Sequence, residues 1–291
     1  MVVFGNIIGE QPVAATQAYP NSAQFVGHSW RALWRMVRAM KLLWVTFTFA
    51  TLAIWRVDMA LTGPEIHLAE QIEFDLGLVA VSAGLALVGA VVTAAAAMIV
   101  LRAYLLDDTQ DRPIWQVPPG FGRMAAWYVG SEALGQLVTM AAIASGLRGN
   151  WLLYGDAGAG LAIGFFLVQY FQLAPALAVG LPDAGFTQAW QDGRGRVWTY
   201  IGAMIMVVVR SLPILFVLIL VTAIVTDAFQ SHPPGFWGRA QGYGQAAGHA
   251  WDIALRWVSH SVGLVVFIIL GARVQACLFA EARAADFADP A

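Results

Sequence analysis

The sequence predicts an all-α, polytopic membrane protein: six transmembrane helices in three elbow-plus-hairpin units, with both termini cytoplasmic. Three observations carry that expectation. Hydrophobic residues make up 59% of the 291 and charged residues only 12%, with a mean hydropathy of +0.66, whereas a soluble domain carries about 25% charge. Apolar stretches recur at lengths that cross roughly 30 Å of hydrocarbon, which takes about 20 helical residues. Basic residues gather on one side of those stretches, as the positive-inside rule requires. The short alternating segments of a transmembrane β-barrel do not occur.

The elements follow in chain order. Residues 1–24 form an N-terminal extension whose start, MVVFGNIIGE, has neither a basic flank nor a small-residue cleavage site, so the chain is expected to insert uncleaved. Residues 25–41 read as an interfacial amphipathic helix. Trp30, Leu33, Trp34, Val37 and Met40 recur at helical spacing on one face, and Arg31, Arg35 and Arg38 occupy another. A six-helix membrane domain spans 42–281, with apolar stretches near 42–61, 76–101, 124–147, 157–181, 200–226 and 253–278. Residues 282–291 are a short cytoplasmic tail. Arg56 and Asp58 interrupt the outer end of span one, where a long side chain can reach the interface. In span two Ser82, Gly84, Ala86, Gly89 and Ala94 to Ala97, and in span four Gly160 and Gly164, suit close backbone approach.

Orientation follows from the basic residues. Eleven of them (Arg31, Arg35, Arg38, Lys41, Arg102, Arg112, Arg123, Arg194, Arg196, Arg273 and Arg283) fall on the side shared by the termini. Only Arg56, Arg148, Arg239 and Arg256 fall on the other, so the termini are cytoplasmic. Trp44, Trp55, Trp127, Trp151, Trp198 and Trp257 lie near span ends, as an aromatic belt requires. Lys41 is the one lysine among sixteen basic residues, a bias that points to a GC-rich bacterial genome and hence to a bacterial inner membrane.

Each odd-numbered span is preceded by an elbow that combines aromatics with arginine. The first is FVGHSWRALWRMVRAMKLLW, the second PPGFGRMAAWYVG and the third AWQDGRGRVWTYIG. Trp30, Trp34, Arg31, Arg35, Arg38, Trp127, Trp190, Arg194, Arg196 and Trp198 are therefore expected as interfacial anchors. Gly193 and Gly195 loosen the third elbow where the chain turns from the membrane plane into span five. The recurrence reads as a weak threefold repeat.

The stretch LAPALAVGLPDAGFTQAWQDGRGRVWTYIG, followed by a long apolar helix, resembles the six-helix membrane domain attached to some bacterial glycerophosphodiester phosphodiesterases, and related stand-alone inner-membrane proteins of unknown activity. Those share a proline late in span four, a short elbow with tryptophan and basic residues, and then span five. The match is confined to that segment, with looser support from 25–45. The resemblance implies the six-helix arrangement and no catalytic residue, because nothing matches the soluble phosphodiesterase domain.

Chemistry has few footholds in the rest of the chain. There is one cysteine, Cys277, expected to be a small packing residue. No phosphate-binding glycine loop, HExxH pair or nucleophile elbow occurs. His67, Glu70 and Glu73 have ligand-like spacing on the outer side and are expected to be a solvated acidic face; His249 and Asp252 are expected to form a local cap. No cofactor, no metal and no enzymatic activity are expected, and the lack of a further basic patch argues against nucleic acid.

Intramembrane polarity is the sharper signal. Counting 1.5 Å per residue from the cytoplasmic ends, Glu132 in span three lies roughly 12 Å deep, Arg210 in span five roughly 15 Å and Gln172 in span four roughly 14 Å, with Gln169 one turn deeper. A polar layer of Glu132, Gln169, Gln172 and Arg210 is expected, with Glu132 and Arg210 paired. The expected function is a non-catalytic scaffold or accessory subunit contacting membrane lipids and other membrane protein subunits. The alternatives are a small transporter or lipid-handling protein using the polar layer, and an enzyme with its site at the outer surface. The outer loop 228–251, rich in proline, glycine and aromatics, is expected to fold against the outer surface or a partner.

Overall fold

The structure is a computed structural model, and it describes residues 22–62, 76–145, 158, 162–181, 184–194, 196–203, 205–206, 208–209, 212–213, 216–217, 220–221 and 261–280. Arg210, the 67–73 cluster, His249, Asp252, Gly160, Gly195 and the loop 228–251 lie outside the described residues, as do nearly all of the N-terminal extension and the whole tail. The described elements are helices α1 (Ser22–Ala39), α2 (Lys41–Thr62), α3 (Leu76–Leu106), α4 (Phe121–Ala144), α5 (Ala162–Val168), α6 (Leu173–Val179), α7 (Phe186–Gly193), α8 (197–203) and α9 (Ser261–Ala280). Among the described residues the fold is all-α.

Two of these helices, over Val79–Leu106 and Ser261–Ala280, are long and apolar enough to cross a membrane. Two bent pairs bring the number to four if each is one span: α1 with α2, bent by 84°, and α5 with α6, bent by 44°. The count expected from sequence was six. Helix α4 has the length but not the apolarity, because Ser131, Glu132 and Gln136 interrupt it. The fifth expected span falls on a stretch that is only partly described.

The chain divides into two compact units, one of residues up to Met204 together with those from Ile268, the other Ile205–Phe267. In the second, Ile205, Val209, Leu212 and Phe216 are exposed, and Ser261 and Val266 are buried. The first unit holds the frame. Helix α3 packs against α2, α4 and α6. Ala94 to Ala97, one full turn of that helix, are all buried, and small side chains there let neighbouring backbones approach. The glycines that also seemed suited to this do not take part: a Cβ added at Gly84, Gly89 or Gly164 would meet nothing within 4 Å.

The corner between α1 and α2 is built from local and remote bonds. Met36, Met40, Leu43 and Phe47 bury its inside, and the Trp44 indole N–H donates to the Met36 carbonyl at 3.4 Å across the bend. The start of α2 would otherwise leave backbone N–H groups without partners. Asp111, from the loop after α3, accepts from the N–H of Leu42 at 2.9 Å and of Leu43 at 3.4 Å. The same loop donates the Ile114 N–H to the Thr46 hydroxyl at 3.0 Å. Asp107, in the left-handed conformation with φ 56°, ends α3 and starts that loop.

On α1 the buried stripe is Leu33 and Met36, continued by Met40 just after the helix, while Trp34 is 58% exposed. The structure therefore moves Trp34 from the expected apolar face to the arginine face, where Arg31, Trp34, Arg35 and Arg38 line a shallow hollow of about 370 Å³. The reason is helical geometry: Trp34 is three residues after Arg31 and four before Arg38, so the three share one stripe.

Candidate functional site

The site begins with Pro175. Proline has no N–H to give to the carbonyl four residues back, and its ring crowds that carbonyl. Before it, the chain leaves the α-helical pattern and tightens to three-residue bonds, with Gln169 N–H on Phe166 O at 3.2 Å, Tyr170 on Leu167 at 2.9 Å, Phe171 on Val168 at 3.1 Å and Leu173 on Tyr170 at 2.9 Å. This turn is the break between α5 and α6. Helix α6 then closes at Gly180, in the left-handed conformation at φ 78°, with bonds from Gly180 N–H to Leu177 O and from Leu181 N–H to Ala176 O, the pairing of a Schellman motif.

The third elbow docks into that break. Gly193, the last residue of α7, lies against the turn so closely that an added Cβ would overlap the Gln169 carbonyl oxygen and stand 2.9 Å from its carbon. Gln172 is 2% exposed and Tyr200 1%. The Gln172 amide donates to the Tyr200 hydroxyl at 2.9 Å, and the Phe171 and Tyr200 rings stack at 4.9 Å. The amide oxygen of Gln172 is buried without a hydrogen-bond partner. A buried amide satisfied on one side only is costly.

Aromatic rings fill the outer side of the turn. Tyr170 meets Trp127 of α4 at 5.4 Å, Phe166 at 5.5 Å, Trp190 at 5.6 Å and Phe186 at 5.8 Å. Two expected anchors, Trp127 and Trp190, are thus joined through Tyr170, which sequence reasoning did not single out. Trp198 is 77% exposed and touches Phe165 at 6.3 Å.

The expected polar layer is described in part. The Glu132 carboxylate accepts from Gln136 of the same helix at 2.7 Å. Gln172 turns to Tyr200, and Gln169 contributes its backbone to the contact with Gly193. Arg210 is outside the described residues, so the Glu132–Arg210 pair is not described. Among the described residues no group of three His, Cys, Asp or Glu side chains could hold a metal ion. Cys277, expected to pack, is exposed: Ala276, Leu278 and Phe279 take the buried positions around it.

The two arginines of the third elbow separate. Arg194 is exposed, whereas Arg196 is half-buried beside the Tyr200 hydroxyl. With Thr199, Tyr200 and Leu278, Arg196 lines a hollow of about 260 Å³. Other arginines serve the frame. Arg102 donates to the Ala178 carbonyl at 3.0 Å, near the C-terminal end of α6, and pairs with Asp108 at 3.3 Å. Arg112 also pairs with Asp108, at 2.5 Å, and Arg123 donates to the Ala184 carbonyl. The 108–112 pair has i,i+4 spacing visible in sequence; the carbonyl partners, more than sixty residues away, leave no local signal. No family model matches the chain, and comparison with the curated proteins and with the solved structures finds none that is similar.

Proposed function

We propose that this chain is a non-catalytic scaffold or accessory subunit of the bacterial inner membrane, a six-span protein akin to the stand-alone membrane domains that its third elbow resembles. One observation carries the reading. The inner-side charges Arg102, Arg112, Arg123, Asp108 and Asp111 bind one another or backbone groups where α2, α3, α4 and α6 converge. Charge used in this way fixes a frame and leaves little to act on a substrate. Around that frame, Phe49 of α2 and Leu137 of α4 present bare apolar surface, suited to lipid tails or to another membrane protein.

A photo-crosslinking amino acid placed at Phe49 or Leu137 in native membranes is expected to give discrete protein adducts. Lipid adducts alone at both positions overturn the reading.

The break between α5 and α6 favours a second reading, a small transporter or lipid-handling protein, because discontinuous helices line substrate sites in many transporters. The discriminating variant is Gln169→Cys in a Cys277→Ser chain. A scaffold leaves that thiol unreactive towards a membrane-impermeant maleimide added outside; a transporter exposes it.

A further inference from the structure

The hollow beside the third elbow is lined by Arg196, Thr199 and Tyr200, which carry polar groups, and by the apolar Leu278 of α9. A guanidinium offers paired N–H donors whose spacing matches two oxygens of a phosphate. Thr199 is three residues on from Arg196 and adds a hydroxyl on the same side of the helix start. The buried Tyr200 hydroxyl accepts the Gln172 amide at 2.9 Å and is hydrogen-bonded by Arg196 as well, so it holds the guanidinium at the hollow's edge. Among the described residues the carboxylate whose charge bears on Tyr200 is Asp192; it accepts the Gln188 amide at 2.7 Å and does not line the hollow. Arg196 and Thr199 are the donors that the hollow offers to an anion.

The surroundings select the source of that anion. Leu278 forms an apolar wall. A free phosphate gains nothing from it, whereas a phosphate carried on acyl chains does. Arg194 lies two residues earlier and does not line the hollow, so a diffuse attraction to the leaflet does not explain the arrangement at Arg196. We infer that the hollow of Arg196, Thr199 and Tyr200 holds the phosphate of one anionic phospholipid, with Leu278 flanking the start of its acyl chains. The inference rests on the membrane-scaffold reading, which survives without this site because its own test uses Phe49 and Leu137.

The experiment is native mass spectrometry of the full chain released from micelles containing dioleoylphosphatidylglycerol. The wild-type chain retains one lipid. Arg196→Gln weakens retention about tenfold or more, the loss expected for a charged hydrogen bond. Thr199→Ala, at an exposed position where truncation leaves the packing intact, weakens it about threefold. Arg196→Lys falls near Arg196→Gln, because the fork is lost while the charge stays, and Arg194→Gln matches wild type. Equal losses from Arg194→Gln and Arg196→Gln overturn the site, as does unchanged retention in Thr199→Ala. Displacement of the lipid by equimolar inorganic phosphate overturns the lipid as its ligand, and equal retention of dioleoylphosphatidylcholine overturns the preference for an anionic headgroup.

Discussion

At Gly193 the need is for space rather than for an unusual backbone conformation. Its hydrogen allows α7 to sit on the Gln169 carbonyl, and a methyl group there has only main chain to push against. Alanine in a helix ordinarily gains about 0.5–1 kcal/mol over glycine, but forcing apart well-packed backbone costs about 1–3 kcal/mol, so the steric cost wins. Gly193→Ala is expected to lower the Tm of the detergent-solubilised chain. Gly202→Ala, on α8 with nothing within 4 Å of the added Cβ, is expected to leave Tm unchanged or raise it. Equal shifts of the same sign would show that the elbow does not dock on the break. The third elbow's glycines were legible in sequence as a loosened turn; the role of Gly193 as a contact was not, because its partner lies twenty-four residues earlier. Trp34 is a nearer miss, since counting three and four residues from the arginines already places it among them.

Among the elements, α2 depends most on a distant residue. Its first N–H groups are held by Asp111, across sixty-nine residues of chain. Asp111→Ala is expected to cost about 1 kcal/mol, the usual worth of an N-terminal cap, and Asp111→Asn to retain most of it. Thermal unfolding of the three chains side by side measures this, and an asparagine as damaging as alanine would assign the effect to charge instead. The contrast explains what could be read from sequence at this scale. Helix α1 and its elbow were legible because arginine and aromatic residues recur at helical spacing. The cap on α2, the bond from Arg102 to the end of α6 and the docking of α7 were not, because each joins segments that no local pattern connects.

For the whole molecule, composition and arginine placement lead to six spans, while two described helices, or up to four, meet the requirements of length and apolarity. Helix α4 decides much of the difference. Its 24 residues extend about 36 Å at 1.5 Å each, longer than a hydrocarbon core of roughly 30 Å, but Glu132 and Gln136 dilute its apolarity. The two are bonded to each other along the helix, which lowers the cost of carrying them into the membrane. If α4 crosses, Ser145 at its far end is outside, and three further crossings return the chain to the cytoplasm near Cys277. Ser145 follows the end of α4 and Cys277 is three residues from the end of α9, so a membrane-impermeant maleimide reports the side on which each helix end lies. The wild-type chain is expected to react at Cys277 in inverted vesicles and not in spheroplasts. Ser145→Cys in a Cys277→Ser chain should react in spheroplasts and not in inverted vesicles. Reaction of both from the same side requires an even number of crossings between them and overturns the six-span arrangement, because spans four, five and six make that number odd.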